Sequence, residues 1–144
     1  MKITNQIRID AAPEAVWETT LAVENWPTWT PTMTAVRRKA DGPLSIGEEI
    51  IIKQPGMPEK AWRITTLEPR RRFGWQTRML GMTMSAIHLL DPTDNGVTNR
   101  LEIDISGLMA PILGPLLRRQ IAKALEKENL GLKTWCERKI ALPE

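Results

Sequence analysis

A succession of short strands dominates the sequence between residues 34 and 106. Polar and apolar side chains alternate there with a period of two and helical spacing is absent, which is the pattern of half-buried strands. Five turn sequences, DGPLSIG, QPGMPE, EPRRR, LGM and DPTDNG, divide the segment into six predicted strands. The last strand, VTNRLEIDI, has one face that carries Val97, Asn99, Leu101, Ile103 and Ile105. Such a chain is expected to fold around a sheet with one face on a core.

The inward faces predicted for two adjacent strands, FGWQTRM and MTMSAIHLL, can be checked against each other by pairing the strands. If Leu80 and Gly81 form a two-residue hairpin loop, the facing pairs are Met79 with Met82, Thr77 with Met84, Trp75 with Ala86, and Phe73 with His88. Both apolar sets then fall on the same face of the sheet, so the two strands agree. Leucine is not a favoured residue in a tight loop, so the pairing rests on the parity of the strands and not on the loop.

Helical segments are predicted on either side of these strands. The first strand, KITNQIRI, leads into a helix that starts at Pro13, a residue suited to the first helical position. The prolines of NWPTWTP then leave a short second helix or a turn. A long helix is predicted from about Pro115 to Lys139, and Gly131 is expected to weaken it without ending it. Its apolar side is formed by Leu117, Ile121, Ala124, Leu125, Leu132 and Trp135.

Length and composition exclude several classes of protein. The 144 residues fit one domain, 1–144, which is large enough for a core of its own. One cysteine and one histidine exclude an internal disulfide and argue against a zinc site, so no metal or other cofactor is expected. The net charge of +3 is scattered, which favours solvated turns over a nucleic-acid groove. Without an export signal or an apolar run of ~20 residues, the expected location is the cytoplasm, with no stable membrane insertion.

Five motifs occur in order along the chain: PEAVW, NWPTWTP, GPLSIGEEI, DNGVTNRLEIDISG and LGLKTWCER. With the predicted order of elements, they make the sequence similar to the polyketide cyclase/dehydrase type of the START-like superfamily, also called Bet v 1-like or SRPBCC, over residues 2 to 139. One departure is Gly96, Val97, Thr98, where this family often has Gly and Thr adjacent. The resemblance implies an α+β helix-grip fold. In that fold a seven-stranded curved antiparallel sheet wraps around a long C-terminal helix, and two short helices lie between the first and second strands.

The resemblance also implies a deep, mostly apolar cavity between the sheet and the long helix, in which relatives carry lipids, sterols, quinones or polyketides and some catalyse. The inward faces of the strands supply candidate lining residues: Trp62, Ile64, Phe73, Trp75, Met79, Met82, Met84, Leu101 and Ile103. They also supply polar candidates: Asn5, Thr66, Thr77, His88 and Asn99. For any one of the aromatic or methionine side chains, ordinary core packing is the competing interpretation.

His88 is the natural general acid or base if the cavity catalyses a reaction, because an unperturbed imidazole titrates near neutral pH. The competing interpretation is a hydrogen-bonded core histidine, since no carboxylate shares its face nearby in sequence and Asp91 has the opposite parity. Asn99 faces His88 and bonds it if the connection spans residues 91 to 96, whereas a tight turn separates the pair. The chain has no tyrosine, so it offers few of the polar side chains that cyclase relatives use inside the cavity.

Two other features of the sequence concern the ends of such a cavity. Trp17, Trp26 and Trp29 lie within thirteen positions, and packing anchors are a better interpretation of them than ligand contacts. The segments QPGMPE (54–59) and GLMAPILGP (107–115) combine Pro and Gly with apolar residues, so we expect them to flank the cavity mouth.

Three functions follow as hypotheses. The first is binding or transport of a hydrophobic small molecule, such as a lipid, an isoprenoid or quinone, or a polyketide-like compound, by a monomer or homodimer. The second is an enzyme of the cyclase/dehydratase kind that uses His88. The third is a protein that binds a partner and carries no ligand.

Overall fold

Strands and helices cover most of the chain in the computed structural model, which describes residues 1–141 and, among their side chains, those of residues 1–138. The elements are β1 (Lys2–Ile9), α1 (Pro13–Leu21), a 3₁₀ helix (Val23–Thr28), β2 (Ala35–Arg38), β3 (Glu49–Lys53), β4 (Lys60–Glu68), β5 (Arg72–Met79), β6 (Met82–Thr93), β7 (Gly96–Ser106) and α2 (Ala110–Ala141). The six strands predicted between residues 34 and 106 are all present, and the two short helices follow β1.

The strands of the described residues form one antiparallel sheet in the order β1-β7-β6-β5-β4-β3-β2. This sheet curves around α2, which packs against β1 and β7. Part of the curvature arises in β4, where the register against β5 shifts between Ile64 and Thr66, because a bulge bends its strand. The predicted α+β helix-grip fold is confirmed.

The β5–β6 hairpin has the predicted register, with Phe73 opposite His88 and Met79 opposite Met82. Its loop residues Leu80 and Gly81 both have positive φ, 50° and 74°. A two-residue hairpin loop of this conformation matches the right-handed twist of the strands it joins. Leucine rarely adopts positive φ, so the pairing of the strands overrides the preference of the loop residue.

The β6–β7 hairpin has the tighter of the two connections considered above. Thr93 pairs with Gly96, so His88 lies opposite Leu101 and Asn99 lies opposite Leu90. This register separates Asn99 from His88 along the sheet.

The long helix begins earlier than predicted, at Ala110 rather than Pro115, which lies inside it. The first turn forms because the Met109 carbonyl accepts hydrogen bonds from the backbone N–H groups of Ile112 and Leu113, at 3.1 and 2.8 Å. The sequence predicts a start at Pro115 because proline lacks the N–H donor that the interior of a helix requires. Here the turn before Pro115 is already formed, since the Ala110 N–H also donates to the carbonyl of Gly107, just after β7, at 3.2 Å.

The tryptophans near the N terminus lie in the core. Trp26 is 1% exposed and its indole N–H donates to the Thr20 carbonyl at 3.0 Å. Its ring centroid lies 5.1 Å from that of Trp29 and 5.2 Å from that of Trp75. The 3₁₀ helix is thereby packed onto the concave face of the sheet.

Candidate functional site

A cavity of about 140 Å³ lies between the concave face of the sheet and α2. Its sheet side is formed by Trp62, Trp75, Met79, Met84, Ala86, Leu101 and Ile103. Its helix side is formed by Leu117, Ile121, Ala124 and Leu125. A dry apolar cavity of similar size, ~150 Å³, accepts a molecule of the size of benzene.

We infer that the cavity opens between the β3–β4 turn and the first half of α2, because the lining residues there are half-buried or exposed, and we call this opening its mouth. Gln54 and Met57 border it on the turn side, and Gln120 borders it on the helix side. Two residues of the predicted segment 54–59 therefore border the cavity. The segment 107–115 does not, because the first residue of α2 to reach the cavity is Leu117.

Seven of the residues selected from the sequence border the cavity: Trp62, Trp75, Met79, Met84, His88, Leu101 and Ile103. Four others, Ile64, Phe73, Thr77 and Met82, are buried elsewhere in the core. Phe73 packs against Trp75 with ring centroids 4.8 Å apart, and the Thr77 hydroxyl donates to the Ala61 carbonyl at 2.9 Å. All of these side chains lie on the concave face, as the alternation along the strands predicts. Much of the space between that face and α2 is filled by packed side chains, so only some of them border the cavity.

Asn99 also lies away from the cavity wall, in a buried amide network. Its side-chain N–H donates to the Asn129 Oδ1 at 2.7 Å, and the Asn129 side chain donates to the Asn5 Oδ1 at 2.7 Å. Asn99 and Asn129 are both fully buried. The network joins β7, α2 and β1, so it fixes the position of the helix residue that precedes Asn129.

That preceding residue, Glu128, was missed from the sequence. Its carboxylate Oε1 lies 3.7 Å from the His88 Nε2, and the two side chains are 12% and 6% exposed. A signal was present, because Glu128 falls on the apolar side of α2, four residues after Ala124 and four before Leu132. A charged residue in the middle of an apolar helix face requires an explanation from its surroundings.

Burial determines the charge state of this pair. It raises the pKa of Glu128 to about 8 and lowers the pKa of His88 to about 3. Although the atoms are close enough for an ion pair, both groups are therefore neutral at pH 7. Glu128 then presents an acid O–H, and His88 presents a basic ring nitrogen.

Neither member of the pair makes a hydrogen bond shorter than 3.5 Å within the part of the chain that the structure describes. Aromatic rings hold His88 in place, with the centroid of Trp26 5.1 Å and that of Phe73 5.6 Å from its own. Buried polar groups normally have partners. Each neutral group has both a donor and an acceptor, so the pair offers hydrogen-bonding capacity to a ligand in the cavity.

Lys60 contributes a cation at the mouth. Its Nζ lies 3.0 Å from the Met79 Sδ, and partial burial lowers its pKa. Among the described residues no carboxylate lies within salt-bridge distance of it. The lining of the cavity thus includes a cation, Lys60, as well as the uncharged His88–Glu128 pair.

Glu128 gives the protein a specific pH dependence. Because folding raises its pKa, the folded protein keeps a proton that the unfolded chain releases, so stability falls as the pH rises toward about 8. The lowered pKa of His88 acts in the opposite direction, but only below its ordinary value of 6.5. From pH 6.5 to about pH 8 the stability therefore depends on Glu128 and not on His88. Over this interval we expect the free energy of unfolding to fall by about 1.5 kcal/mol.

Urea unfolding of the wild type and of Glu128→Gln at several pH values measures this effect. The variant should lack the loss, while Glu126→Gln, at an exposed position two residues earlier, should retain it. Equal slopes for the wild type and Glu128→Gln above pH 6.5 would show that Glu128 is ionised in the folded protein.

Two kinds of site are not found among the described residues. No group of three or more His, Cys, Asp and Glu side chains is arranged to hold a metal ion. No helix in residues 1–141 has the length and hydropathy needed to cross a membrane.

Comparison with known proteins identifies the family. A family model described as polyketide cyclase / dehydrase and lipid transport matches residues 1–137. The chain belongs to this family. A comparison with curated proteins gives no match.

Solved structures place this family member among START-like folds. A START superfamily protein from Mycobacterium smegmatis is 12% identical, with a TM-score of 0.78 over 96% of this chain and 98% of its own. The di-domain ARO/CYC protein BexL is 20% identical, with a TM-score of 0.77 over 99% of this chain and 48% of its own. StfQ, a di-domain ARO/CYC protein from the steffimycin biosynthetic pathway, is 14% identical, with a TM-score of 0.73 over 98% of this chain and 52% of its own. The chain spans about half the length of these two di-domain proteins.

Proposed function

We propose that the protein binds a small, predominantly apolar molecule in the cavity beneath α2, with a polar group of the ligand facing His88 and Glu128. The observation that carries this proposal is the unpartnered pair, buried at the wall of a cavity that is otherwise mostly apolar. A few convergent polar groups in an apolar pocket are typical of small-molecule sites. The description of the family as including lipid transport supports the same class of ligand.

The chemistry of the pair selects among apolar ligands. A neutral acid O–H donates to a carbonyl or hydroxyl oxygen, whereas a ligand carboxylate beside Glu128 loses its solvation without gaining a counterion. The favoured ligand is therefore uncharged where it meets the pair, as a quinone, an isoprenoid alcohol or a neutral polyketide is. An anionic group is better placed at the mouth, near Lys60.

The size of the cavity limits how much of a ligand is enclosed. A volume of about 140 Å³ accommodates one ring or a short chain, so a longer molecule must extend through the mouth. Flexible methionines border the cavity at Met33, Met57, Met79 and Met84, and they allow the wall to adapt to different shapes.

Native mass spectrometry of the purified protein, with Ala86→Leu as the test variant, measures this binding. Ala86 borders the cavity and lies opposite Trp75, so a leucine there fills part of the space. We expect the wild type to retain an apolar ligand or take up an apolar probe, and Ala86→Leu to lose it with little change in melting temperature. Ala61→Leu, at an exposed position of β4, is the matched control and should bind as the wild type does.

Other results would contradict the proposal. If the wild type retains no ligand and takes up no apolar probe, the cavity is packing space, and the partner-binding hypothesis becomes the better one. If Ala61→Leu and Ala86→Leu bind equally, the ligand lies elsewhere on the molecule.

A cyclase/dehydratase activity is the second candidate, and the His88–Glu128 pair is the observation that favours it. The Glu128 O–H can donate to a carbonyl oxygen, and the His88 ring nitrogen lies 3.7 Å from that carboxyl group in the same cavity. Because burial lowers the pKa of His88 to about 3, this mechanism requires that the bound substrate raise that pKa before His88 can take a proton from carbon. Since each group must act on the substrate, His88→Gln should abolish turnover of such a substrate while leaving affinity within about tenfold. If the protein only binds or transports the ligand, His88→Gln should weaken binding, and the wild type should show no turnover.

A further inference from the structure

Four large apolar side chains protrude into solvent at one end of the molecule. Leu108 is 93% exposed, Leu116 75%, Leu80 70% and Ile112 62%. We call this group the apolar end. Single exposed apolar residues are common, but a contiguous group on a folded protein marks an interaction surface.

Backbone contacts place the four residues together. The Met109 N–H donates to the Gly81 carbonyl at 3.4 Å, so the β5–β6 turn that carries Leu80 touches the segment that carries Leu108. Ile112 and Leu116 lie one helical turn apart on α2, and Leu108 lies in the turn two residues before the helix begins. The side chains therefore form a stripe along the start of α2, beside the hairpin turn.

Positive charge flanks this stripe. Between residues 105 and 125 the sequence contains no Asp or Glu, but it contains Arg118, Arg119 and Lys123, all exposed. Arg119 and Lys123 continue the helical spacing from Leu116. Within the described residues none of the three cations lies within 4.0 Å of a carboxylate. We call these three residues the basic flank.

The apolar end is close to the mouth of the cavity. Leu116 is exposed, whereas Leu117, the next residue, borders the cavity, as do Gln120 and Ile121 one turn later. The same turns of α2 thus present apolar groups outward and line the cavity inward.

We propose that the apolar end and the basic flank form a peripheral docking surface for an anionic lipid bilayer. Apolar side chains enter the interface between headgroups and acyl chains, and Arg and Lys beside them are attracted to anionic headgroups. Docking in this way places the cavity mouth at the membrane surface, where an apolar ligand is dissolved.

A second copy of the chain is the less suitable occupant. A symmetric contact through this surface brings two sets of unpaired cations together, and residues 105–125 contain no carboxylate to neutralise them. An anionic bilayer supplies the opposite charge that the basic flank lacks.

Co-sedimentation of the purified full chain with vesicles tests the proposal. Two compositions are compared: phosphatidylcholine alone, and phosphatidylcholine mixed with phosphatidylglycerol, at low ionic strength and at about 0.1 M salt. We expect the wild type to bind the anionic vesicles at least tenfold more tightly than the neutral ones, and salt to weaken the binding. No cavity ligand is needed, so the result is independent of the proposed function.

Two variants separate the contributions. Ile112→Ser with Leu116→Ser removes apolar side chains, and Arg118→Glu with Arg119→Glu reverses charge; each should lower the affinity for anionic vesicles about tenfold or more. Leu130→Ser and Lys127→Glu are the matched controls, since they change an exposed leucine and an exposed lysine elsewhere on α2. All substituted side chains are exposed, and circular dichroism should show unchanged folding.

Three outcomes would overturn the proposal. One is wild-type protein that does not sediment with anionic vesicles. Another is equal vesicle binding by Ile112→Ser with Leu116→Ser and by its control Leu130→Ser, which would show that charge attraction alone accounts for the contact. The third is a wild-type dimer, seen by analytical ultracentrifugation, that Ile112→Ser with Leu116→Ser dissociates while no variant changes vesicle binding.

Discussion

Replacement of Trp26 by alanine is expected to lower the free energy of unfolding by about 3–5 kcal/mol. Trp26 is 1% exposed, and its ring contacts Trp29, Trp75 and His88 with centroids within 5.2 Å. The substitution removes a fully buried indole ring from this layer and leaves a cavity among the rings that surround it. Urea unfolding followed by circular dichroism measures the change.

A loss this large is a substantial part of the 5–15 kcal/mol that typically stabilises a domain, so a milder variant keeps the prediction testable. Trp26→Phe retains a ring but loses the hydrogen bond to the Thr20 carbonyl, and it should fold with a smaller loss. Leu130→Ala, at an exposed position, should stay within about 0.5 kcal/mol of the wild type. A loss below about 1 kcal/mol for Trp26→Ala would refute the anchor role.

Gly131→Ala is expected to destabilise the protein by about 1–3 kcal/mol or more, although alanine is the better helix former. A Cβ at this position would lie 2.0 Å from the Trp29 carbonyl oxygen and 3.1 Å from its carbon. These are backbone atoms, so the segment after the 3₁₀ helix would have to move away from α2. Thermal and urea unfolding both report the change.

The matched control for this prediction is Ala122→Gly, at an exposed position of the same helix. It should follow ordinary helix propensity and lose about 1 kcal/mol. If Gly131→Ala stabilises the protein by a similar amount, the close approach between α2 and Trp29 is absent in solution.

The two contacts together explain how the site is held. Gly131 allows the backbone at Trp29 to approach α2, and the neighbouring Trp26 packs against the His88 ring. The 3₁₀ helix thus connects the two elements that carry the His88–Glu128 pair. Changes at either contact are therefore expected to disturb ligand binding as well as stability.

The predictions about the sheet rested mainly on the alternation of inward and outward side chains along each strand. A strand repeats every two residues, so one hairpin loop at Leu80 and Gly81 was enough to place Phe73 opposite His88 six pairs away. The same rule correctly placed Trp62, Trp75 and Met84 on one face. It was wrong for Thr66, because the bulge after Ile64 puts Thr66 opposite Gly74 and turns Leu67 to the concave face instead. It did not distinguish cavity from core, because both lie on that face.

The helix side of the site was less accessible to sequence reasoning. Glu128 was overlooked among the apolar residues of α2, and Asn129, which binds Asn99, was not considered at all. The rotation and height of a helix over a sheet depend on contacts between residues far apart in the chain, such as those that join Asn129 to Asn5. No local pattern contains that information.

The sequence by itself therefore determined the order of the elements, the faces of the strands apart from the part of β4 beyond its bulge, and the register of the β5–β6 hairpin. These follow from periodicity and short loops, which are local properties. The tertiary structure alone decided that α2 starts at Ala110, that Gly131 is required by a neighbouring carbonyl, and that a carboxyl from α2 meets His88. Those features arise where two elements pack together, and burial at that contact then makes Glu128 and His88 an uncharged pair.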